Sequence, residues 1–167
     1  MIRALWIGLC AALVTAGCAS YDGRGLIAGR STAAEVESLM GRPAMRMTKE
    51  DGGSIVYYPR GPVGRHTYAV TLGPDGVMRG IDQRLTLECI NKLRVGAMTT
   101  KEVLELLGPP APTWNSRLPR QAREVWEYKW LYYDEKRVLW IQFSDDGIVR
   151  EVINIYDYEG KGGGSGK

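Results

Sequence analysis

The residues able to do chemistry in this chain are few: three cysteines, one histidine and a paired acid. An enzyme needs positioned acid–base, nucleophilic or metal-binding groups. His66 stands alone just ahead of an alternating stretch, where a histidine is far more often a surface residue than a catalyst. No Cys/His spacing suits zinc. Gly61-Pro62-Val63-Gly64-Arg65 has the glycines of a phosphate loop but lacks its Lys-Ser/Thr pair and following helix. It reads as a connection between strands. Asp145-Asp146 falls in a turn, where aspartate is favoured for turn geometry alone. These residues predict no catalysis, no metal and no cofactor.

Cys18 is different. Met1-Ile2-Arg3 carries a positive charge, and residues 4–14 form an unbroken apolar run. The run suits a signal-peptide core and is shorter than the roughly 20 residues a membrane-spanning helix needs. It leads through Thr15-Ala16-Gly17 into Cys18. This ending resembles a bacterial lipoprotein lipobox. The resemblance implies cleavage between Gly17 and Cys18, with diacylglycerol and an acyl chain such as palmitate placed on Cys18. More than one acyl chain holds a protein stably on a membrane. Ala19, rather than Asp, follows the cysteine, and by the same resemblance the outer membrane is the expected destination. The alternative is a buried N-terminal helix that happens to end in cysteine. Cys10 leaves with the signal segment, so Cys89 is the one thiol left and no intramolecular disulfide is available. Its setting, Leu87-Glu88-Cys89-Ile90, predicts a buried, inert thiol.

Charge excludes one class of partner. The chain has 22 basic and 19 acidic residues. That mild balance lacks the strong basic patch of a nucleic-acid-binding protein. Two features remain for binding. One is the basic loop carrying Arg117, Arg120 and Arg123, suited to anionic lipid headgroups or an acidic partner, with a solvated loop as the plain alternative. The other is tryptophan. Trp6 leaves with the signal, whereas Trp114, Trp126, Trp130 and Trp140 all lie in the second half. Trp126, Trp130 and Trp140 are candidate partner-binding residues. At strand spacing, Trp126, Tyr128, Trp130 and Tyr132 also suit the filling of one core face. Leu139, Ile141 and Phe143 alternate with Trp140, which therefore points to the other face with Val138 and Gln142. Trp140 is either a partner anchor or covered by the other half of the chain.

These candidates must be positioned by elements, and the chain states its elements twice. AEVESLMGRP at 34–43 returns as KEVLELLGPP at 101–110. From Gly29/Gly96 to Pro43/Pro110 the offset is constant at 67. Thr32-x-x-Glu35 and Thr99-x-x-Glu102 read as capping boxes at helix starts. Val36, Leu39 and Met40, then Val103, Leu106 and Leu107, share one helix face. Gly41 and Gly108 suit the residue that ends a helix, and Pro43 and Pro110 block continuation. Downstream, Gly73-Pro74-Asp75-Gly76 and Ser144-Asp145-Asp146-Gly147 read as hairpin turns. Strands are expected before each turn (54–58 and 124–132; Tyr68, Val70, Leu72 and Leu139, Ile141, Phe143) and after it (77–85 and 148–156). Residues 87–93 add a short leading helix.

The pattern Gly-x-x-Thr-x-x-Glu-Val-x-x-Leu-hydrophobic-Gly-x-Pro, followed by strands with a D-G turn, resembles the SmpA/OmlA (BamE-like) family of outer-membrane lipoproteins. The tandem arrangement resembles the β-lactamase inhibitor proteins. The resemblance implies an α+β class: two tandem α-(α)-β-β-β units, each a three-stranded antiparallel sheet covered by a short helix or helical pair. The expected organisation is a signal peptide at 1–17, an anchored linker at 18–24, units at 25–85 and 86–158, and a flexible Gly-rich tail at 159–167. The implied function is a non-enzymatic protein-interaction scaffold facing the periplasm. Its implied partners are the membrane through Cys18 and an envelope protein such as the β-barrel assembly machinery. A tethered inhibitor of a periplasmic or exogenous hydrolase is the alternative.

Overall fold

A computed structural model of the chain describes residues 22–61, 64–110 and 124–158. In chain order the elements are α1 (Ala33–Met40), β1 (Met45–Thr48), β2 (Ser54–Arg60), β3 (His66–Leu72), β4 (Met78–Gln83), α2 (Leu87–Ile90), α3 (Thr100–Leu107), β5 (Val125–Tyr132), β6 (Glu135–Phe143) and β7 (Val149–Tyr156). The expected pair of three-stranded α+β units does not form. The described chain is mostly β, with antiparallel sheets of four strands (β1-β2-β3-β4) and three strands (β5-β6-β7). The helices amount to two turns, one turn and two turns.

Two physical causes underlie the difference. First, Met45-Arg46-Met47-Thr48 becomes an edge strand on β2, with Met45 opposite Tyr57 and Met47 opposite Ile55. Its two methionines pack on Ile55, Tyr57 and Ala69. Second, the first sheet is apolar on both faces. Val56, Tyr58, Val70 and Leu72 pack beneath Val36 and Met40 of α1. Ile55, Tyr57 and Ala69, at most 6% exposed, form the opposite face. The unbroken run Ile55-Val56-Tyr57-Tyr58 is that of a strand covered on both sides. The C-terminal end of α3 meets this face: the Tyr57 hydroxyl donates to the Glu105 carbonyl at 2.8 Å, and Gly108 lies against Thr67 and Tyr57.

β2 therefore holds both long helices by their C-terminal ends, where backbone carbonyls lack helical partners. On one face Arg60 Nη2 donates to the Met40 carbonyl at 2.8 Å. On the other, Tyr57 serves α3. α3 in turn lies on the second sheet, with Val103 and Leu107 fully buried among Tyr128, Trp130, Leu139, Ile141 and Phe143. Tyr128 reaches back to the same helix end, its hydroxyl donating to the Gly108 carbonyl at 3.0 Å. Burial raises both phenols, Tyr57 to about 12, and Tyr128 further above the ordinary tyrosine value. The layers run α1, first sheet, α3, second sheet.

The sequence repeat is a repeat of local bonding. Both capping boxes form. The Thr32 and Thr99 amides donate to Glu35 and Glu102 carboxylates at 2.8 and 2.7 Å. Each helix start is locked to its hairpin: the Ala33 amide donates to Gly76 and the Thr100 amide to Gly147, at 2.8 and 2.9 Å. The preceding glycines do likewise, Gly29 donating to the Met78 carbonyl and Gly96 to that of Val149. The motif from Gly29 to Gly41 thus pins a helix N-terminus to the strand after a D-G turn, and the motif from Gly96 to Gly108 does the same.

Candidate interaction surface

β6 divides its side chains between two environments. Leu139, Ile141 and Phe143 are wholly buried against α3. Val138, Trp140 and Gln142 face away, as alternation requires. Cross-strand neighbours of Trp140 are Glu127 on β5 and Ile153 on β7. Its indole N–H donates to Glu127 Oε2 at 2.8 Å. The ring is half-buried, with its one polar group satisfied and its position set by two flanking strands. Around it lie Val138 and Ile155, paired across β6 and β7, with Ile155 exposed at 39%. Val138 is buried at 6%, so this face is open toward β7 rather than along its whole width. The Tyr57 contact with α3 lies on the other side of the second sheet from Trp140.

The other candidates separate. Trp130, expected as a partner-binding residue, is 1% exposed and belongs to the core beneath α3. Trp126 lies on the same inward face, its ring 4.6 Å from that of Phe143 and its N–H donating to Glu124. The register turns the even-numbered residues of β5 toward the core, with Tyr128 and Trp130 buried and Trp126 half-buried, so only Trp130 is removed from the partner-facing surface. Arg117, Arg120 and Arg123, together with Gly17 and Cys18, lie outside the described residues. His66 begins β3, half-buried, its ring stacked 6.4 Å from Tyr68. Cys89 is a buried free thiol. Asp146 caps its turn, accepting the Ile148 amide, and its carboxyl is held below the usual range by Ser144 and that amide.

Gly61, Gly64 and Arg65 connect β2 to β3, as their composition suggests. Arg65 then does something its sequence context does not announce: it forms a 2.5 Å ion pair with Asp157, whose side chain is 1% exposed. The loop end of the first sheet is thereby fastened to the end of β7. Sequence reasoning also passed over the exposed tyrosines Tyr133, Tyr156 and Tyr158 at this end, at 85%, 47% and 72%. Their available signal was Tyr132-Tyr133-Asp134-Glu135, a short polar break between two alternating strands. Among the described residues no three His, Cys, Asp or Glu side chains come together in a way that could hold a metal ion. No helix there is long and apolar enough to cross a membrane. Comparisons with family models, with curated proteins and with solved structures find no match to this chain.

Proposed function

We propose that this chain is a non-enzymatic envelope lipoprotein, tethered through Cys18, that presents the outward face of its second sheet to a protein partner. The observation that carries the partner site is Trp140: a large aromatic, half-buried and pinned to Glu127, on the sheet face turned away from α3. Tryptophan is a frequent interface anchor, and a ring already held in place loses little freedom on binding. The tether rests on the charged start, apolar run and Gly17-Cys18 ending. Its resemblance to the SmpA/OmlA pattern makes outer-membrane protein assembly or envelope maintenance the proposed setting, with the periplasmic side of the outer membrane as the site.

The test is affinity purification of the full-length protein from detergent-solubilised membranes, wild type against Trp140→Ala. The expected result is recovery of barrel-assembly components with the wild type, at least tenfold less with the variant, and a melting temperature within a few degrees. A large loss of stability in Trp140→Ala would make the residue structural and remove the partner site. Recovery of a single soluble hydrolase would replace the scaffold by an inhibitor. Cys18→Ser should abolish acylation and membrane fractionation; a mature-sized, membrane-bound Cys18→Ser protein would end the lipoprotein reading.

A further inference from the structure

The exposed tyrosines and the start of the described chain occupy the same end of the molecule. The links are contiguous. A Cβ at Gly23 would lie 2.7 Å from Ile81 Cδ1 and 3.2 Å from Met40 Sδ, which puts the start of the chain at the C-terminal end of α1. Arg60, the last residue of β2, bonds the Met40 carbonyl. The β2–β3 loop follows, and its Arg65 pairs with Asp157. The Asp157 amide donates to the Lys136 carbonyl at 2.8 Å, beside the β5–β6 turn. Tyr133 in that turn, Tyr156 at the end of β7 and Tyr158 just beyond it are exposed there. The D-G turns at Gly76 and Gly147 lie at the other ends of β3 and β6.

Tyr133 is the one described non-glycine residue with positive φ, at 50°. It stands in the two-residue turn closed by Tyr132 and Glu135. A bulky side chain there is unusual, because such turns favour glycine. The backbone cost is borne to hold a ring outward into solvent, an arrangement that points to function. The local charges balance: Glu135 pairs with Arg137 at 3.5 Å, and Arg137 lies 4.6 Å over the Tyr156 ring. This end therefore offers amphipathic rings more than net charge.

We propose that Tyr133, Tyr156 and Tyr158 seat the protein body on the headgroup level of the bilayer that carries its lipid anchor. This rests on acylation of Cys18. Three residues separate Cys18 from Asp22, and the four residue steps between them reach at most about 14 Å. So short a tether holds the end at which the chain enters the fold against the membrane. Tyrosine suits that depth, with an apolar ring below and a hydroxyl among the headgroups. The seating needs no anionic lipid and leaves the Trp140 face standing sideways, open to a partner in the same membrane.

The test uses the full-length acylated protein in neutral phosphatidylcholine vesicles, in a Cys89→Ala background. A single environment-sensitive fluorophore is placed through Tyr133→Cys, Tyr158→Cys or, at the opposite end, Asp145→Cys. The expected result is a several-fold rise in emission and quenching by headgroup spin-labelled lipid at 133 and 158, with neither at 145. Adding Tyr133→Ser and Tyr156→Ser should return the signal at 158 to the level at 145. Equal emission at all three positions in protein that floats with vesicles would overturn the seating alone. A signal at 158 that survives loss of the other two tyrosines would assign the orientation to the tether and overturn the role of the rings. Protein that fails to float would overturn the anchor, and the seating with it.

Discussion

At the scale of single residues, two glycines in matching places have unequal burdens. Gly41 and Gly108 end α1 and α3 with nearly the same backbone, φ 82 and ψ −172 against φ 80 and ψ −173. That region is essentially closed to residues with a Cβ, at about 1–3 kcal/mol each. A Cβ on Gly41 would meet nothing within 4 Å, whereas one on Gly108 would lie 2.8 Å from both Thr67 Cγ2 and Tyr57 Cδ1. Those neighbours are themselves buried and have no room to retreat, so overpacking adds about 1–3 kcal/mol. Gly41→Ala and Gly108→Ala should both destabilise, Gly108→Ala by the larger amount. Urea unfolding of the pair measures it, and equal losses would mean that α3 does not press on the first sheet as described. Both glycines were legible in the sequence as helix ends. The second duty of Gly108 was not, because it depends on Thr67 and Tyr57, on two strands from the earlier half of the chain. Trp130 shows the same limit. Alternation assigns it correctly to the face of Tyr128, but only the packing of α3 decides that this face is the core.

At the scale of elements, the helix starts are where sequence and structure agree most closely, since a capping box is complete within four residues. Glu102 accepts the Thr99 amide at 2.7 Å and the Thr99 hydroxyl at 2.8 Å. Those bonds, the backbone one first, hold its carboxyl below the ordinary glutamate value. A group with a depressed folded pKa stabilises above its unfolded pKa, about 4.3 for glutamate, and loses that contribution as pH falls through the folded value. Wild type should therefore exceed Glu102→Gln in melting temperature at pH 7, with the gap closing below about pH 4. A gap that persists unchanged in acid would show that the carboxylate charge is not what holds the cap. Thr99→Ala should cost about 1 kcal/mol at neutral pH. β1 is the contrasting case. Met45-Arg46-Met47-Thr48 is short and only half apolar, and nothing local marks it as a strand. Its methionines gain by lying beside Ile55 and Tyr57, and the C-terminal end of α3, from the far half of the chain, closes on that face at Tyr57 and Thr67.

At the scale of the whole molecule, this dependence makes a statement about cooperativity. The first sheet has α1 over one face, while its other face, with Tyr57 and Ala69 wholly buried, is covered from the second half. The second sheet keeps Val103 and Leu107 on its inner face only while α3 stays in place, and that helix is bonded to Tyr57 at its C-terminal end. Arg65 and Asp157 add an ion pair across the same junction. Neither sheet can lose its partner without wetting apolar side chains, so one thermal transition is expected, with calorimetric and van't Hoff enthalpies equal. Tryptophan gives a direct check. Apart from Trp6, every tryptophan lies at position 114 or beyond, and Trp126, Trp130 and Trp140 sit in the second sheet. Their fluorescence therefore reports on the half of the molecule that does not contain Tyr57. Tyr57→Ala deletes a buried ring from the first sheet at a cost of about 3–5 kcal/mol, the range for large aromatic truncations. It should lower the tryptophan-detected midpoint by the same number of degrees as the midpoint from far-ultraviolet circular dichroism. A tryptophan midpoint left in place while the circular dichroism curve splits would mean that the two sheets unfold independently and that α3 couples nothing.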